Sequence, residues 1–259
     1  MLEWVRCGSA AEIPGPISSQ LAEPGRNIRT AGDAAEKSRR LLGKGVPESM
    51  WEEQMSQPLF AQDILFLQRF LKCCNLYSGP LDGQFNTGVG NGEDALAAQY
   101  QSIKNAMGNF DARSEAGIMT LQPDAQRKAR EFLKATTALP LTYKIISGTR
   151  TYAEQDELFA HGRTKPGPRV TNARGGQSNH NFGIAWDVGI FDNGKYLTGA
   201  THEEEQAYID LGTHILANVT GLEWGGNWHD FVDRPHFQLT TGQTVAAVRE
   251  LFEGGTSFV

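Results

Sequence analysis

The sequence predicts an α+β fold in which a helical lobe precedes a small antiparallel sheet packed with helices. Between residues 60 and 135 apolar side chains recur near every 3.6 positions, the period of an amphipathic helix. After residue 141, short strand-like runs alternate with helical runs. The first 54 residues carry Pro14-Gly15-Pro16 and Pro24-Gly25 without sustained periodicity, so we expect an extension or linker there.

The helical lobe is predicted to cover residues 55–135. Its first helix is expected over 60–76, its second over 93–107, and its third from Pro123 to about residue 135. Proline suits the first turn of that third helix because its missing N–H would have no partner there. A turn-rich stretch, residues 77–85, joins the first two helices.

The remaining residues, 138–259, are predicted to form the domain that contains the sheet. Its expected strands and helices follow one another as strand 141–146, helix 152–161, strand 184–190, helix 203–218, strand 235–239 and helix 245–252.

Charge and hydropathy exclude two classes of partner. The formal net charge is −6, and binding to nucleic acid depends on clustered Lys and Arg, so no nucleic acid is expected. No run approaches about 18 consecutive apolar residues, so no membrane insertion is expected. The first residues also lack the apolar stretch of a signal peptide, which predicts synthesis in the cytoplasm without such a signal.

Three residues are candidates for metal ligands. His180 and Asp187 lie seven positions apart, with Asp187 on a predicted strand, and His236 offers a third ligand further along the chain. Zinc accepts imidazole nitrogen and carboxylate oxygen, and catalytic zinc sites use three protein ligands. Spacing alone leaves another interpretation open, in which His180 caps a loop and Asp187 joins a surface ion pair.

Two further residues would complete hydrolytic chemistry around such a metal. Asp233 lies three residues before His236, close enough to accept a proton from an attacking water. Arg150 follows a predicted strand in Ser147-Gly148-Thr149-Arg150 and could stabilise an oxyanion.

The ordered motifs resemble the M15 family of metallopeptidases. Ser178-Asn179-His180-Asn181-Phe182-Gly183-Ile184-Ala185-Trp186-Asp187 fits S-x-H-x-x-G-x-A-x-D, and the segment from Asp233 to Phe237 fits D-x-P-H-F. The upstream stretch from Ser147 to Gln155 is similar to the S-G-x-R element of the family. The resemblance implies the zinc fold shared by D-Ala-D-Ala peptidases and Hedgehog domains.

The resemblance also implies a role for each matched position. His180, Asp187 and His236 become zinc ligands, Asp233 the catalytic base, and Arg150 the clamp for substrate and oxyanion. Ser178 and Gln155 become supporting groups. The stretch 221–228 looks like the L-alanyl-D-glutamate endopeptidase branch, whose pattern predicts Trp224 and Trp228 as walls of the cleft; ordinary core packing is the alternative.

The lobe resembles, over a shorter stretch, the three-helix peptidoglycan-binding domain of wall hydrolases. The match includes Leu67-Gln68-Arg69-Phe70-Leu71 and the turn from Gly79 to Phe85. It implies wall contacts by Asp82, Gly83 and Phe85, and it marks Thr87–Gly92 as an inserted loop. A purely structural helical lobe is the alternative.

These resemblances imply zinc-dependent hydrolysis of the L-Ala–D-Glu bond in peptidoglycan stems. Alternatives are a D-Ala-D-Ala carboxypeptidase and, from a different class, a zinc module without catalysis. The enzyme is expected to act on the cell wall, in the periplasm or outside the cell, as a phage endolysin. An effector injected into rival cells has the same chemistry and would imply an immunity protein as partner.

Overall fold

The computed structural model describes residues 58–259, which contain seven α-helices and five strands. The helices are α1 (Pro58–Cys73), α2 (Thr87–Met107), α3 (Ala112–Met119), α4 (Pro123–Ala135), α5 (Tyr152–Ala160), α6 (His202–Asn218) and α7 (Val245–Glu253). The strands are β1 (Thr142–Ser147), β2 (Ala185–Asp192), β3 (Lys195–Leu197), β4 (Leu222–Trp224) and β5 (His236–Leu239). The predicted extension, residues 1–54, lies outside this range.

The predicted fold class is confirmed: four helices precede one small sheet whose strands all pair antiparallel. The strand order is β1-β2-β5-β4, and β3 pairs with β2. Within residues 58–259 no helix is both long and apolar enough to cross a membrane.

The register of the sheet aligns polar residues from strands that are far apart in sequence. Asp187 on β2 pairs with Ser147 on β1 and with His236 on β5. Two positions along β5, Gln238 pairs with Glu223 on β4. Side chains two apart on a strand project from the same face, so His236 and Gln238 share one face of the sheet.

The opposite face of the sheet is apolar and packs on α4. Trp186 and Phe237, the neighbours of the polar pair, are fully buried. The ring of Phe132 on α4 contacts both edge-on, with centroid distances of 6.1 Å to Trp186 and 4.8 Å to Phe237. Alternation along β2 and β5 therefore anchors one face in the core and leaves the other for the site.

The helical lobe and the sheet share one hydrophobic core. Phe70 on α1 is buried in the same cluster as Phe182, Trp186 and Phe252. Phe182, two residues after His180, packs against Phe252 on α7 with the ring planes tilted and the centroids 5.3 Å apart. The domain boundary predicted between residues 135 and 138 does not divide this core, because buried apolar side chains from both sides of it belong to the same cluster.

The predicted loop at Thr87–Gly92 is wrong, because these residues form the first turns of α2. The side chain of Asn86 accepts a hydrogen bond from the Val89 N–H and caps the helix. Val89 and Gly92 are buried against the first helix, where a Cβ on Gly92 would stand 2.9 Å from the Leu71 side chain. A glycine-rich run therefore becomes helical through its cap and its packing.

Three short elements have no counterpart in the prediction: α3, β3 and β4. Both strands have three residues, too few to show alternation. β3 is held by pairing with β2, which directly precedes it, and β4 by pairing with β5. Helix α3 has eight residues and is capped by Asp111, whose carboxylate accepts from Arg113 N and Ser114 N.

Candidate metal centre

The three predicted ligands come together on the polar face of the sheet. His180 lies on a 3-10 turn, Asn179–Phe182, that ends at Gly183 with φ +72°. Ser178, predicted as a supporting group, caps this turn, and its hydroxyl accepts from the His180 N–H. Asp187 and His236 arrive as a cross-strand pair of β2 and β5.

The distances among the ligand atoms fit a metal ion. His180 Nε2 lies 3.1 Å from both Asp187 Oδ1 and His236 Nδ1, and His236 Nδ1 lies 3.6 Å from Asp187 Oδ1. Ligand distances of about 2.0–2.2 Å at tetrahedral angles place neighbouring ligands about 3.3–3.6 Å apart. Among the described residues these three form the group of metal-binding type.

Hydrogen bonds behind each imidazole fix which nitrogen faces the centre. His180 Nδ1 lies 2.7 Å from the Gly148 carbonyl, which only accepts, so Nδ1 carries the proton. His236 Nε2 lies 3.0 Å from Gln238 Oε1. With both protons pointing outward, two imidazole lone pairs and a carboxylate oxygen face one another, a grouping that requires a positive charge beside it.

The electrostatics of the cluster suit metal binding. Burial and the nearby Arg150 lower the pKa of His180 to about 4, so its ring is neutral. Burial opposes ionisation of Asp187, but the positive charge of Arg150 holds its pKa well below the usual range. Burial lowers the pKa of His236, yet the negative charges of Asp187 and Asp233 raise it overall.

Arg150 lies directly beside the ligands. Its Nη2 is 2.5 Å from Asp187 Oδ2 and 3.1 Å from His180 Nε2. The guanidinium is held on its other side by Ser147 Oγ and by Gln155 Oε1, at 3.2 Å and 3.0 Å. It therefore reaches the cluster, where two of its four partners are the predicted ligands Asp187 and His180.

Gln155 is fully buried and connects Arg150 to the loop that follows α5. Its oxygen accepts from Arg150, while its amide nitrogen donates to the Ala173 carbonyl at 3.0 Å and Thr171 Oγ1 at 3.3 Å. An amide, which both donates and accepts, is suited to this position because its two sides face a cation and a carbonyl.

Asp233 lies next to the cluster without belonging to it. Its backbone is fixed between Gly225 and His236, since its N–H donates to Gly225 O at 3.0 Å and its carbonyl accepts from the His236 N–H at 3.2 Å. Burial and the neighbouring Asp187 raise the pKa of Asp233 to about 6. A half-buried carboxyl with such a pKa is a candidate general base.

The two predicted cleft tryptophans lie in different environments. Trp228 is half-buried, and its ring centroid lies 4.9 Å from that of His236, at the edge of the site. Trp224 as a cleft wall is wrong: it is buried in the core against Phe237, and its Nε1 donates to the Arg234 carbonyl. Strand alternation turns it to the apolar face with Phe237.

The predicted wall-binding residues lie on the lobe, in the turn between α1 and α2. Asp82 Oδ1 accepts from Gln68 Nε2 and from Gln84 N, each at 2.9 Å, and Gly83 adopts φ +71°. Asp82 and Gly83 therefore stabilise the turn itself. Phe85 is 60% exposed and is available to a partner.

Three polar residues behind the ligands were missed by the motif analysis: Gln238, Glu223 and Asn179. The side-chain oxygen of Gln238 lies within hydrogen-bond distance of His236 Nε2 and accepts from the Asn179 amide, and its amide nitrogen donates to Glu223. The signal available was the i, i+2 spacing of His236 and Gln238 on one strand, which places both on one face. The partner on β4 could not be predicted because β4 itself was not.

Comparison with known proteins follows the same residues. The sequence profile described as D-alanyl-D-alanine carboxypeptidase matches residues 171–239. That segment contains His180, Asp187, Asp233 and His236, and it excludes Arg150.

The chain is similar to the peptidoglycan L-alanyl-D-glutamate endopeptidase CwlK of Bacillus subtilis (strain 168). The two are 34% identical over 122 residues, which cover 46% of this chain and 73% of CwlK. Among solved structures, the L-Ala D-Glu endopeptidase ChiX of Serratia marcescens matches at 26% identity with a TM-score of 0.39, over 51% of this chain and 90% of ChiX.

Proposed function

This chain belongs to the M15 family of metallopeptidases that includes the peptidoglycan L-alanyl-D-glutamate endopeptidases, and on that premise we propose that it hydrolyses the L-Ala–D-Glu bond of wall stem peptides with zinc. The observation that carries the proposal is the convergence of His180 Nε2, Asp187 Oδ1 and His236 Nδ1 within 3.1–3.6 Å. The carboxyl of Asp233 is close enough to them for the charges of Asp187, His236 and Arg150 to shift its pKa.

Zinc bound by these three residues would supply Lewis acidity, polarising a carbonyl and making water ionise near neutral pH. Asp233 accepts the proton of the attacking water and then donates it to the nitrogen of the D-Glu leaving group. The C–N bond breaks as that nitrogen is protonated, which leaves a carboxylate on L-Ala and a free amine on D-Glu. Arg150 stabilises negative charge on the carbonyl oxygen.

Mass spectrometry of digested peptidoglycan tests the cut bond. Purified sacculi treated with the zinc-loaded protein should release fragments that begin with a free D-Glu amine. Matching glycan fragments should end in L-Ala. Release of terminal D-Ala alone would instead indicate the D-alanyl-D-alanine carboxypeptidase alternative, and intact stems would indicate a module without catalysis.

Elemental analysis tests the metal. One zinc per chain should copurify, chelation should abolish hydrolysis, and added zinc should restore it. His180→Ala should lose the metal. His202→Ala is a matched control, because His202 is exposed at the start of α6 and should keep one zinc. An active preparation that contains another metal and no zinc would contradict the zinc assignment.

The lobe is proposed to bind the wall through the surface around Phe85. This ring is exposed, and a cleft of about 490 Å³ lies nearby, lined by residues that include Tyr77, Pro80 and Asn86. Co-sedimentation of the Asp233→Asn protein with insoluble peptidoglycan should weaken on adding Phe85→Ala. Leu216→Ala, at another exposed apolar side chain, should have no effect. Equal sedimentation of both variants would favour a structural lobe.

Two routes of delivery to the wall stay predictions. A phage lysis system would release the enzyme as an endolysin, and a secretion machine would inject it into a rival cell. The second route implies an immunity protein in the producing cell. Co-purification with a neighbouring gene product that blocks hydrolysis would favour injection.

A further inference from the structure

Behind the metal centre, a chain of polar side chains runs from His236 across two strands. Gln238, buried on β5, lies with its Oε1 3.0 Å from His236 Nε2. Its amide nitrogen donates to Glu223 Oε2 on β4 at 2.8 Å. Asn179, next to His180, donates to the same Gln238 oxygen at 2.8 Å.

The chemistry of these groups permits one arrangement of the Gln238 amide. A carboxylate accepts hydrogen bonds and does not donate them, so Glu223 must face the NH₂ group of Gln238. The Gln238 oxygen then faces His236 and the Asn179 NH₂, both of which can donate to it. His236 must therefore carry its proton on Nε2, and the neutral ring presents the Nδ1 lone pair to Asp187 and His180.

We propose that Glu223 and Gln238 are positioning residues for the metal centre, acting in sequence. Glu223 orients the Gln238 amide, and the amide holds His236 in the tautomer and ring orientation that bind the metal. Gln238 at the same time fixes Asn179 and so ties the turn of His180 to the strand of His236. The inference rests on the proposed function only in taking these histidines as metal ligands.

Burial makes the hydrogen bonds of Gln238 necessary. The Gln238 side chain lies on the same face of the sheet as His236, and the residue is 8% exposed. An amide buried there loses hydration, a loss that its hydrogen bonds must offset. Groups that hold a ligating histidine from behind raise metal affinity by about 10–100-fold.

The first experiment measures zinc affinity by competition with a chromophoric chelator. Gln238→Leu should bind zinc about 10–100-fold more weakly than the unchanged protein. The double variant Glu223→Gln/Gln238→Glu exchanges amide and carboxylate. A carboxylate at 238 still accepts from His236 and Asn179, and an amide at 223 donates to it, so affinity should return to within a few-fold.

The second experiment reads the tautomer directly. Long-range ¹H–¹⁵N correlation spectra of the metal-free protein report which imidazole nitrogen carries the proton. The unchanged protein and the exchanged double variant should show His236 protonated on Nε2. Gln238→Leu should show loss of that preference. Neither measurement depends on hydrolysis, so both can fail or succeed independently of which peptide bond the enzyme cuts.

Gln126→Leu is the matched control, since Gln126 is a fully buried glutamine on α4 that donates to the Leu121 carbonyl. It should leave zinc affinity unchanged. If Gln238→Leu does not fold, Glu223→Leu replaces it and should also weaken zinc binding. Wild-type affinity and tautomer in the folded variant would overturn the proposal. So would an exchanged double variant that binds as weakly as Gln238→Leu.

Discussion

At the scale of single residues, the surroundings of two carboxylates in the site shift their pKa values in opposite directions. Burial opposes ionisation of Asp187, but the hydrogen bond from Arg150 and its positive charge stabilise the carboxylate. Asp233 is half-buried and has Asp187 as a like-charged neighbour, so its pKa is raised. One carboxylate is thereby suited to hold a metal and the other to exchange protons.

Asp233→Asn should retain zinc and fold while losing nearly all turnover, because an amide cannot accept the proton of water. Asp233→Glu should keep partial activity. Kinetics on purified muropeptides, with zinc quantified in the same samples, provide the measurement. Asp230→Asn is the matched control, an exposed aspartate three residues earlier that should remain fully active. A zinc-loaded Asp233→Asn enzyme that turns over normally would place the base elsewhere.

The raised pKa of Asp233 predicts the acid limb of the pH profile. Asp233 must be ionised to accept a proton, so kcat/KM should fall as the pH falls through the pKa of this group, which is about 6 in the metal-free protein. A bound cation favours the carboxylate, so the limb should lie at or below that pH. Removing the positive charge of Arg150 should shift the acid limb to higher pH. An acid limb at the same pH in Arg150→Gln would contradict its assignment to Asp233.

Arg150→Ala should leave zinc bound and lower turnover by about 10²–10³-fold, the effect of removing an oxyanion donor. Arg150→Lys should rescue little, because one ammonium cannot bond Asp187, Gln155 and substrate as a guanidinium does. Steady-state kinetics measure both. Arg127→Ala, in an exposed ion pair on α4, should behave as the unchanged protein. Near-normal activity in Arg150→Ala would remove this residue from the mechanism.

Ordered motifs made the residues of the centre predictable, whereas the hydrogen bonds behind His236 were not. His180, Asp187 and His236 sit in dense local patterns, and the structure brings them together. Trp224 was assigned to the wrong side because a sequence does not display which face of a three-residue strand is buried. Glu223 was missed as a partner because its contact with Gln238 depends on a long-range register.

At the scale of elements, the turn that carries His180 depends on a close approach to α1. Gly183 ends this turn with φ +72°, and a Cβ there would stand 2.4 Å from the ring of Phe70. Glycine is therefore favoured at position 183 for two reasons: the backbone is left-handed there, and an aromatic side chain from the lobe leaves no room for a Cβ.

Gly183→Ala should destabilise the fold and weaken zinc binding, because relief of the clash shifts the turn of His180. Gly194→Ala separates the two causes: Gly194 has a similar φ of +84°, but nothing lies within 4 Å of an added Cβ. That control should lose about 1–2 kcal/mol from backbone strain alone. Chemical denaturation and zinc titration measure both variants. Equal losses in both would show that the Phe70 contact is unimportant.

At the scale of the whole molecule, one core joins the lobe to the sheet, so the described residues should unfold together. Phe70→Ala should lower the free energy of unfolding by about 3–5 kcal/mol in a single transition. Phe85→Ala, at an exposed ring of the same lobe, should leave stability unchanged. Coincident denaturation curves from circular dichroism and hydrolytic activity would support this. A lobe that melts separately from the activity would contradict it.

The shared core also fixes the distance between the lobe and the active site, which matters for an enzyme acting on the cross-linked mesh of peptidoglycan. The lobe and the active site cannot move relative to each other without opening the core that Phe70 shares with Phe182 and Phe252. If the lobe binds peptidoglycan as proposed, the active site lies at one fixed distance from the bound glycan. Stem peptides at that distance should then be hydrolysed first, and the spacing of the first cuts would equal the distance between the lobe and the site.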